Sequence, residues 1–225
     1  MNDRAAIRIL LVDDQQLIRM GFRMVLVASP EFVVVGEAAN GAEAIEAVRE
    51  LAPDVVLMDV RMPRLDGIAA TEQIVQQHPD SRIIVLTTFD LDEYAFGALA
   101  AGASGFLLKD VQAGELTAAI RAVHSGDATL SPRVTRRMLE LLGGRLPNAA
   151  GGGTDLAALA TLTERERDVF AAIGRGLTNS EIAAALFVSE STVKTHVGRV
   201  LAKMGARDRV QAVILAHRLG VTGTA

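Results

Sequence analysis

The stretch IRILLVDD, which spans Ile7–Asp14, decides the fold of the first half of the chain. An almost continuous apolar run of this kind is typical of a strand buried on both faces of a parallel sheet. Two carboxylates follow the run directly, and like charges placed side by side repel each other. The stretch therefore predicts a buried strand that delivers two acidic side chains to one edge of a sheet.

Four more apolar runs follow it, at Phe32–Ala38, Asp54–Val60, Arg82–Thr88 and Gly105–Asp110. The segments between the runs have helical spacing, at about 15–28, 40–51, 65–77, 91–101 and 112–124. Strands that alternate with helices in this way predict an α/β domain of the (βα)5 type, with a doubly wound parallel sheet.

Charge is unevenly distributed along the chain, which has 225 residues and a formal net charge of −4. Residues 1–125 carry 10 Lys and Arg against 18 Asp and Glu, whereas residues 126–225 carry 13 against 9. An acidic front and a basic rear indicate two parts with different partners. A basic part favours nucleic acid as its partner.

The composition also excludes some classes of protein and site. There is no cysteine, so disulfides and thiolate metal sites are excluded. The first residues reach the pair Asp13–Asp14 too soon for a secretory signal, and no uncharged apolar run is long enough to span a membrane. We therefore expect a cytoplasmic protein with no membrane segment.

The α/β pattern stops after the fifth helix, and a connecting segment follows. Ser131–Leu142 could form one more helix, because its second residue is a proline, which is favoured at the first helical position. Gly143–Gly153 is rich in glycine, which is typical of a flexible linker. We predict an α/β domain at 1–125, a linker with one possible helix at 126–159 and a helical domain at 160–225.

The polar residues that follow the strands form the candidate site of the first domain. In an open parallel sheet, ligands gather at the carboxyl ends of the strands. Six polar residues end the first, third, fourth and fifth runs: Asp13, Asp14, Asp59, Thr87, Thr88 and Lys109. Strand alternation points Thr87 and Thr88 to opposite faces, so only one of the two hydroxyls is expected in the site.

A divalent cation would offset the repulsion among these carboxylates, and hard oxygen ligands suit Mg²⁺. One carboxylate could then act as a nucleophile, because a group with a pKa of about 3.9 is already ionised at pH 7. Its attack on a phosphoryl donor would give an acyl phosphate. The added negative charge would be held by the metal, by Lys109 and by a hydroxyl donor such as Thr87.

Each of these residues also has an ordinary structural interpretation when it is taken alone. Asp13 and Asp14 could cap the next helix, and Asp59 could form a turn. Thr87 could simply end a strand, and Lys109 could be a solvated lysine. All of these interpretations would have to be correct at once, for residues that follow four of the five strands along one edge of the sheet. We call this edge, with its polar residues, the rim. The convergence of the residues therefore favours a functional site.

Four segments resemble the signature segments of the receiver domains of two-component response regulators: LLVDD, VLMDVRMPRLDG, VLTTF and GFLLKD. The resemblance covers about residues 6–125 and implies a CheY-like fold. It implies that Asp59 is the phosphoryl acceptor of a sensor histidine kinase. Pro63, Asp66 and Gly67 match the family's loop and helix start after the acceptor.

The resemblance also implies roles for the other residues of the rim. Mg²⁺ would be held by Asp13, Asp14, Asp59 and the backbone carbonyl of Arg61. Thr87 and Lys109 would contact the phosphoryl group, and Phe106 occupies the aromatic switch position. On phosphorylation the Thr87 hydroxyl would move towards the new charge and vacate space for the Phe106 ring.

The basic rear part predicts only short helices. Two Thr-x-x-Glu segments, at 163–166 and 178–181, can each form a capping box at a helix start. Ser189 can cap a third helix at about 190–204, only a few residues after a second helix at 179–186. Two short helices joined by a tight turn predict a helix-turn-helix within an all-α domain of four helices.

The predicted third helix has two different faces. Its inward stripe comprises Val193, Val197, Val200, Leu201 and Met204. Its opposite side carries Lys194, Thr195, Gly198 and Arg199. Taken alone, this pattern favours a solvated amphipathic helix. Short side chains flanked by long cations could also enter a DNA major groove.

Three segments, LTERERDVF, GLTNSEIA and VSESTVKTHVGRVLAKM, resemble the DNA-binding domain of NarL/LuxR-type regulators. The resemblance covers about residues 160–220. It implies a groove-facing set of Lys194, Thr195, Gly198 and Arg199, with Asn179 and Lys203 near backbone phosphates. Gly198 departs from relatives that carry a long basic residue there, and His196 is expected to be structural. Related domains pair through the fourth helix, here at about 207–219, so a homodimer on two half-sites is expected.

The chain is identified as a member of the NarL/LuxR (FixJ-like) response regulators: a transcription factor, not an enzyme, that binds double-stranded promoter DNA. One alternative is a Mg²⁺-dependent phosphatase that forms an aspartyl phosphate, but its nucleophile would lie on the first strand in a D-x-D arrangement. Another alternative is a regulator opened by a small-molecule ligand. That class would need an apolar pocket in place of the acidic rim.

Overall fold

The computed structural model describes residues 6–87, 94–126 and 152–221. The chain divides into two compact units, Met1–Ala128 and Thr129–Ala225. Thr88 and the possible helix at Ser131–Leu142 lie outside the described residues. The exact domain and linker boundaries therefore stay a prediction.

In the described part of the first unit, five parallel strands alternate with five helices. The strands are β1 (Ile7–Val12), β2 (Phe32–Ala38), β3 (Val55–Asp59), β4 (Arg82–Thr87) and β5 (Gly105–Leu108). The helices are α1 (Gln16–Val27), α2 (Gly41–Leu51), α3 (Gly67–Gln77), α4 (Tyr94–Ala100) and α5 (Ala113–His124). This confirms the predicted (βα)5 fold.

The strand order β2-β1-β3-β4-β5 determines where a site can form in the sheet. All neighbouring strands pair in parallel. The order reverses at β1, because the chain first adds β2 on one side and then returns to add β3 on the other. Ligands of doubly wound sheets bind at the carboxyl ends of the strands beside this switch point. The two strands at the switch point lead directly to Asp13 and Asp59.

The sheet is the core of the first unit. Every residue of β3 is buried, and β1 is buried except at Arg8. Each fully buried Val, Leu or Ile side chain contributes about 1.5–3 kcal/mol. Two helices that lead from the strands begin with side-chain caps: Asn40 accepts from the N–H of Glu43, and Asp66 accepts from the N–H of Ala69.

The second unit is all α in its described part. Its helices are α6 (Gly152–Ala160), α7 (Glu164–Gly174), α8 (Asn179–Leu186), α9 (Glu190–Met204) and α10 (Arg209–Arg218). The last four confirm the predicted helices and their helix-turn-helix. Capping boxes begin α7 and α8, and Ser189 caps α9 by accepting from the N–H of Thr192. The turn after α8 contains Phe187, whose φ is 55° and whose surface is 94% exposed.

Helix α6 was not predicted from the sequence. It begins inside the glycine-rich stretch, where the weak helix propensity of glycine gave no signal of a helix start. The helix contacts α9, and Asp155 forms an ion pair with Arg218 of α10. Contacts with α9 and α10 therefore stabilise α6, whose first residues have a weak preference for helix. None of the helices within the described residues is long and apolar enough to cross a membrane.

Candidate functional site

The register of the sheet brings the predicted rim residues together. Asp13 and Asp59 each lie one residue beyond the last aligned pair of β1 and β3. Thr87 follows the residue of β4 that lies opposite Asp59. The backbone N–H of Lys109, directly after β5, donates to the carbonyl of Thr87 at 2.8 Å. All four residues therefore lie at the carboxyl edge of the sheet, where parallel strands open onto ligands.

Lys109 lies between two of the carboxylates. Its Nζ is 2.6 Å from Asp13 Oδ2 and 3.0 Å from Asp59 Oδ2. The three side chains are buried, with exposed fractions of 5% for Lys109, 3% for Asp13 and 5% for Asp59. Buried like charges are tolerated only when they are paired. The ammonium of Lys109 thus already compensates the repulsion for which the sequence predicted a metal ion.

Burial and charge act on these groups in opposite directions. Burial raises the pKa of the Asp59 carboxyl, and the charge of Asp13 raises it further, while Lys109 and the N–H of Arg61 oppose the change. Burial alone would lower the pKa of Lys109. Its hydrogen bonds and charge interactions with Asp13 and Asp59 together outweigh burial, so the pKa of Lys109 lies above its ordinary value. Lys109 is therefore a cation at neutral pH.

Three carboxylates form an oxygen cluster that fits a hard divalent cation. Asp13, Asp14 and Asp59 each offer one oxygen, and these atoms all lie within 4.8 Å of one another. Asp14 is exposed, whereas the other two are buried. An all-oxygen set with one side open to water suits Mg²⁺, which keeps several of its own waters. A cavity of about 480 Å³ opens beside Asp14 and is also lined by Arg61, Met62, Pro63 and Ile68.

The loop after β3 is fixed closely behind Asp59. The N–H of Gly67 donates to the carbonyl of Val60 at 2.9 Å. A Cβ atom at Gly67 would lie 1.9 Å from the carbonyl oxygen of Asp59, so no other residue fits there without a backbone shift. Asp66 caps α3 at this same point. The predicted helix start after Asp59 therefore depends on a close approach that requires glycine.

Thr87 and Phe106 are both buried on neighbouring strands. Their exposed fractions are 6% and 7%. Phe106 lies opposite Val85, two residues before Thr87 on β4, and side chains two residues apart share one face of a strand. The two side chains are therefore close along the sheet. Their roles in a switch stay a prediction.

Helix α9 has the two faces that the sequence predicted. Its buried side contains Val193, Val197, Val200 and Met204, and Leu201 is half-buried. The opposite side exposes Lys194, Thr195, Gly198 and Arg199. His196 is half-buried between the faces. A Cβ atom at Gly198 would meet nothing within 4 Å, so the protein's own packing does not require glycine at this position.

The two residues predicted near DNA phosphates also bind within the domain. The Oδ1 of Asn179, which is buried, accepts from Arg209 Nη1 at 2.8 Å. Lys203 Nζ donates to Glu166 Oε2 at 2.6 Å and to the carbonyl of Thr161 at 3.1 Å. These bonds join α8 to α10 and α9 to the start of α7. Contact of either residue with a phosphate stays a prediction. A side chain that made this contact would also have to keep, or give up, its hydrogen bond within the domain.

Sequence reasoning missed a pair of residues beside the acidic cluster. Arg19 of α1 donates from Nη1 to the carbonyl of Asp13 at 2.6 Å, and from Nε to Glu37 Oε2 at 2.9 Å. The available signal was an arginine six residues after Asp13 and an acid near the end of the second apolar run. The signal becomes meaningful only once β2 is known to pair with β1.

Two family models match the two units of the chain. Residues 9–121 match the model described as "Response regulator receiver domain". Residues 160–216 match the model described as "Bacterial regulatory proteins, luxR family". The first match spans half of the chain and includes every predicted rim residue, and the second includes the helix-turn-helix. Receiver domains of this kind bind Mg²⁺ at an acidic pocket, and the carboxylate cluster corresponds to that pocket.

Relatives share this arrangement over nearly their full length. The chain is 44% identical to the transcriptional regulatory protein YxjL of Bacillus subtilis (strain 168), covering 96% of this chain and 97% of YxjL. It is 41% identical to the transcriptional regulatory protein LiaR of the same organism, covering 94% and 97%. A solved structure of the response regulator ChrA, from a heme-sensing two-component system, is similar with a TM-score of 0.53 and 32% identity, covering 97% of this chain and 100% of ChrA.

Both halves of the chain thus lead to one class of protein. A receiver domain implies a histidine kinase as partner, and a luxR-type domain implies binding to DNA. The relatives are transcription regulators of two-component systems, not enzymes. The chain therefore belongs to the response regulators that join a CheY-like receiver domain to a luxR-type helix-turn-helix domain.

Proposed function

We propose that Asp59 accepts a phosphoryl group from a sensor histidine kinase, and that this event controls binding of the helix-turn-helix domain to promoter DNA in the cytoplasm. The observation that carries the proposal is the buried Asp59 carboxylate, in contact with Lys109 and within 4.8 Å of oxygens of Asp13 and Asp14. A nucleophile beside a fixed cation and two further oxygen ligands is the arrangement that phosphoryl transfer needs.

The residues of the rim have separate tasks in this reaction. An Asp59 oxygen attacks phosphorus, so that an O–P bond forms and the N–P bond of the phosphohistidine breaks. Lys109 offsets the charge that develops on the phosphoryl oxygens, and the Thr87 hydroxyl donates a hydrogen bond to one of them. Mg²⁺, held by Asp13, Asp14, Asp59 and the backbone carbonyl of Arg61, supplies the remaining positive charge when bound.

The signal leaves the site through Thr87 and Phe106. The hydroxyl of Thr87 is drawn towards the new phosphoryl charge, and the ring of Phe106 enters the space that it leaves. The burial of both side chains on neighbouring strands supports this coupling. The movement alters the surface formed by α4 and β5, which carries the change away from the site.

The DNA-binding surface is the exposed side of α9. Lys194, Thr195, Gly198 and Arg199 face the major groove, and Asn179 and Lys203 lie near the phosphates. Two copies of the chain bind two half-sites as a homodimer that pairs through α10. On that helix Val210 and Val213 are buried within the domain, while Ile214 and Leu215 are only half-buried and remain available for pairing.

Phosphoryl labelling of the full chain tests the acceptor. Wild type should take up about one phosphoryl group per chain from an acyl-phosphate donor in the presence of Mg²⁺. Asp59→Asn should take up none while its thermal unfolding remains cooperative. Asp80→Asn, which changes an exposed aspartate of the same unit, should label like wild type. Stoichiometric labelling of Asp59→Asn would exclude Asp59 as the acceptor.

Selection of bound fragments from genomic DNA tests the output. The phosphorylated chain should recover a defined set of promoter fragments with higher affinity than the unphosphorylated chain. Equal affinity in the two states would contradict control by phosphorylation, although the assignment of Asp59 as acceptor would stand.

A further inference from the structure

Asp13 has every one of its polar atoms fixed by the protein. Its N–H donates to the carbonyl of Ala38 at 3.2 Å, and its Oδ1 accepts from the N–H of Gln15 at 2.9 Å. Its Oδ2 lies 2.6 Å from Lys109 Nζ. Its carbonyl oxygen accepts from Nη1 of Arg19 at 2.6 Å. The proposed reaction does not require this hydrogen bond from Arg19, so its role is still to be explained.

Arg19 is itself held in place on its other side. Its side chain is 15% exposed, and its Nε donates to Glu37 Oε2 at 2.9 Å. The other oxygen of Glu37 accepts from Nε of Arg23 at 2.7 Å. The hydrogen bond from Arg19 is the largest of the contacts that lower the pKa of Glu37, so Glu37 is an anion at neutral pH. A planar guanidinium can make both contacts at once, because its donors form a rigid fork.

The turn between β1 and α1 has no side-chain cap, so the hydrogen bond from Arg19 helps to hold it. Gln15 is the N-cap of α1, and its side chain makes no capping hydrogen bond. The turn carries Asp14, whose side chain is exposed and therefore lacks the packing that fixes Asp13. Arg19 reaches back across the turn from the first turn of the helix. It thus fixes the peptide group that connects the two acids.

We propose that Arg19 is a positioning residue for the acidic site: its guanidinium, held by Glu37, fixes the Asp13 carbonyl and with it the directions of the Asp13 and Asp14 carboxylates. The inference rests on the proposed function, because it concerns the same Mg²⁺ site. Partners that orient metal ligands typically change metal affinity by about 10–100-fold when they are removed.

Arg23 provides the matched control. It lies one helical turn after Arg19 and bonds to the same Glu37, whereas Arg19 is the arginine that bonds to Asp13. Lysine at either position keeps the positive charge beside Glu37. Lysine at position 19 cannot keep both the Glu37 and the Asp13 bonds in the geometry of the guanidinium fork. The two substitutions therefore separate a general ion-pair effect from an effect on the acidic site.

Mg²⁺ binding to the full chain, measured by isothermal titration calorimetry, tests the inference. Arg19→Lys should weaken Mg²⁺ binding about tenfold, whereas Arg23→Lys should stay within about twofold of wild type. Phosphoryl labelling of Arg19→Lys should need correspondingly more Mg²⁺ and reach the wild-type level at saturation. Urea unfolding of each variant shows whether the fold is intact. If Arg19→Lys does not fold, Glu37→Gln replaces it in the test. Glutamine at position 37 keeps a hydrogen-bond acceptor for Arg19 but lacks the negative charge of Glu37, so this variant should weaken Mg²⁺ binding by a smaller factor.

Two outcomes overturn the inference while the proposed function stands. In the first, Arg19→Lys, or Glu37→Gln where the former does not fold, binds Mg²⁺ as tightly as wild type. In the second, Arg23→Lys loses as much affinity as Arg19→Lys. A wild-type chain that is not labelled at Asp59, or that binds no Mg²⁺, would instead overturn the proposed function and this inference with it.

Discussion

Asp59 combines a buried, ion-paired carboxylate with a close contact of its backbone carbonyl. Burial raises its pKa and the ammonium of Lys109 opposes that change, so the acid and the base stabilise each other although both are buried. The carbonyl of the same residue faces Gly67 so closely that no side chain fits between them. The position of Asp59, the proposed nucleophile, is therefore set by its neighbours as much as by its strand.

Gly67→Ala should displace the loop that follows Asp59. The added Cβ would lie 1.9 Å from the Asp59 carbonyl oxygen, which is backbone and can yield only if the strand end moves. Overpacking of this kind costs about 1–3 kcal/mol. We expect a lower free energy of unfolding in urea and a slower rate of phosphoryl labelling.

Gly21→Ala is the control for this change. A Cβ at Gly21, on helix α1, meets nothing within 4 Å. Alanine is favoured over glycine in a helix by about 1 kcal/mol. This variant should be at least as stable as wild type and should label at the same rate. A Gly67→Ala chain with both properties of wild type would show that the loop adjusts without moving Asp59.

Single residues differ in how far the sequence predicts them. Asp13, Asp14, Asp59, Thr87 and Lys109 were placed on one rim because strand ends in a parallel sheet meet at one edge. The bridge from Lys109 to both acids was not predicted, since it depends on the side-chain direction after β5. Arg19 was missed for a related reason. Its partner Glu37 comes from another segment of the chain, and their proximity follows only from the pairing of β2 with β1.

At the scale of helices and turns, local chemistry made the sequence informative. The capping boxes that begin α7 and α8 were predicted from threonine and glutamate three residues apart, and both are present. Helix α6 was not predicted, because contacts with α9 and α10, not its own sequence, hold it in place. A local signal was sufficient for the first two helices and lacking for the third.

The ion pair between Glu166 and Lys203, which joins α7 and α9, should make the free energy of unfolding depend on pH. The hydrogen bond from Lys203, followed by those from Thr163, lowers the pKa of Glu166 to about 2 from an ordinary value of 4.5. A depressed pKa in the folded state means that the stabilisation is present above about pH 4.5. It is lost as the pH falls towards 2, because the folded state must then take up a proton that the unfolded state already holds.

Urea unfolding at a series of pH values checks this expectation. Glu166→Gln removes the ionisable group, so its loss of stability relative to wild type should be largest at pH 6 and should shrink between pH 4.5 and pH 2. Glu164→Gln changes an exposed acid in the same helical turn and provides the control. A constant difference between Glu166→Gln and wild type across this range would show that the charge of Glu166 does not stabilise the fold.

For the whole molecule, the unequal charge of the two halves sets the expected partners. The front half carries 18 acidic against 10 basic residues and contains the carboxylate cluster, whereas the rear half carries 13 basic against 9 acidic residues. Binding of the rear half to DNA should release counterions from the phosphates, so the affinity should fall steeply as salt is raised. Composition alone indicates this division.

Two cations of α9 should account for part of that salt dependence. In a plot of the logarithm of affinity against the logarithm of salt concentration, Arg199→Gln and Lys194→Gln should each reduce the slope by about one for a phosphate contact. Arg49→Gln, at an exposed position of α2 in the first unit, should leave the slope unchanged. Fluorescence anisotropy with a labelled promoter fragment measures these slopes. Unchanged slopes in both α9 variants would show that neither side chain contacts a DNA phosphate.

Phe187, in the turn of the helix-turn-helix, combines a left-handed backbone with a ring that is 94% exposed. Asparagine or glycine would suit this backbone better and would lose little packing. Folding alone therefore provides no reason to keep an aromatic residue there. In a library randomised at this codon, selection for folded protein should retain many residues. If selection for transcription from the target promoter retains fewer residues at position 187 than selection for folded protein, the ring of Phe187 makes a contact outside its own chain.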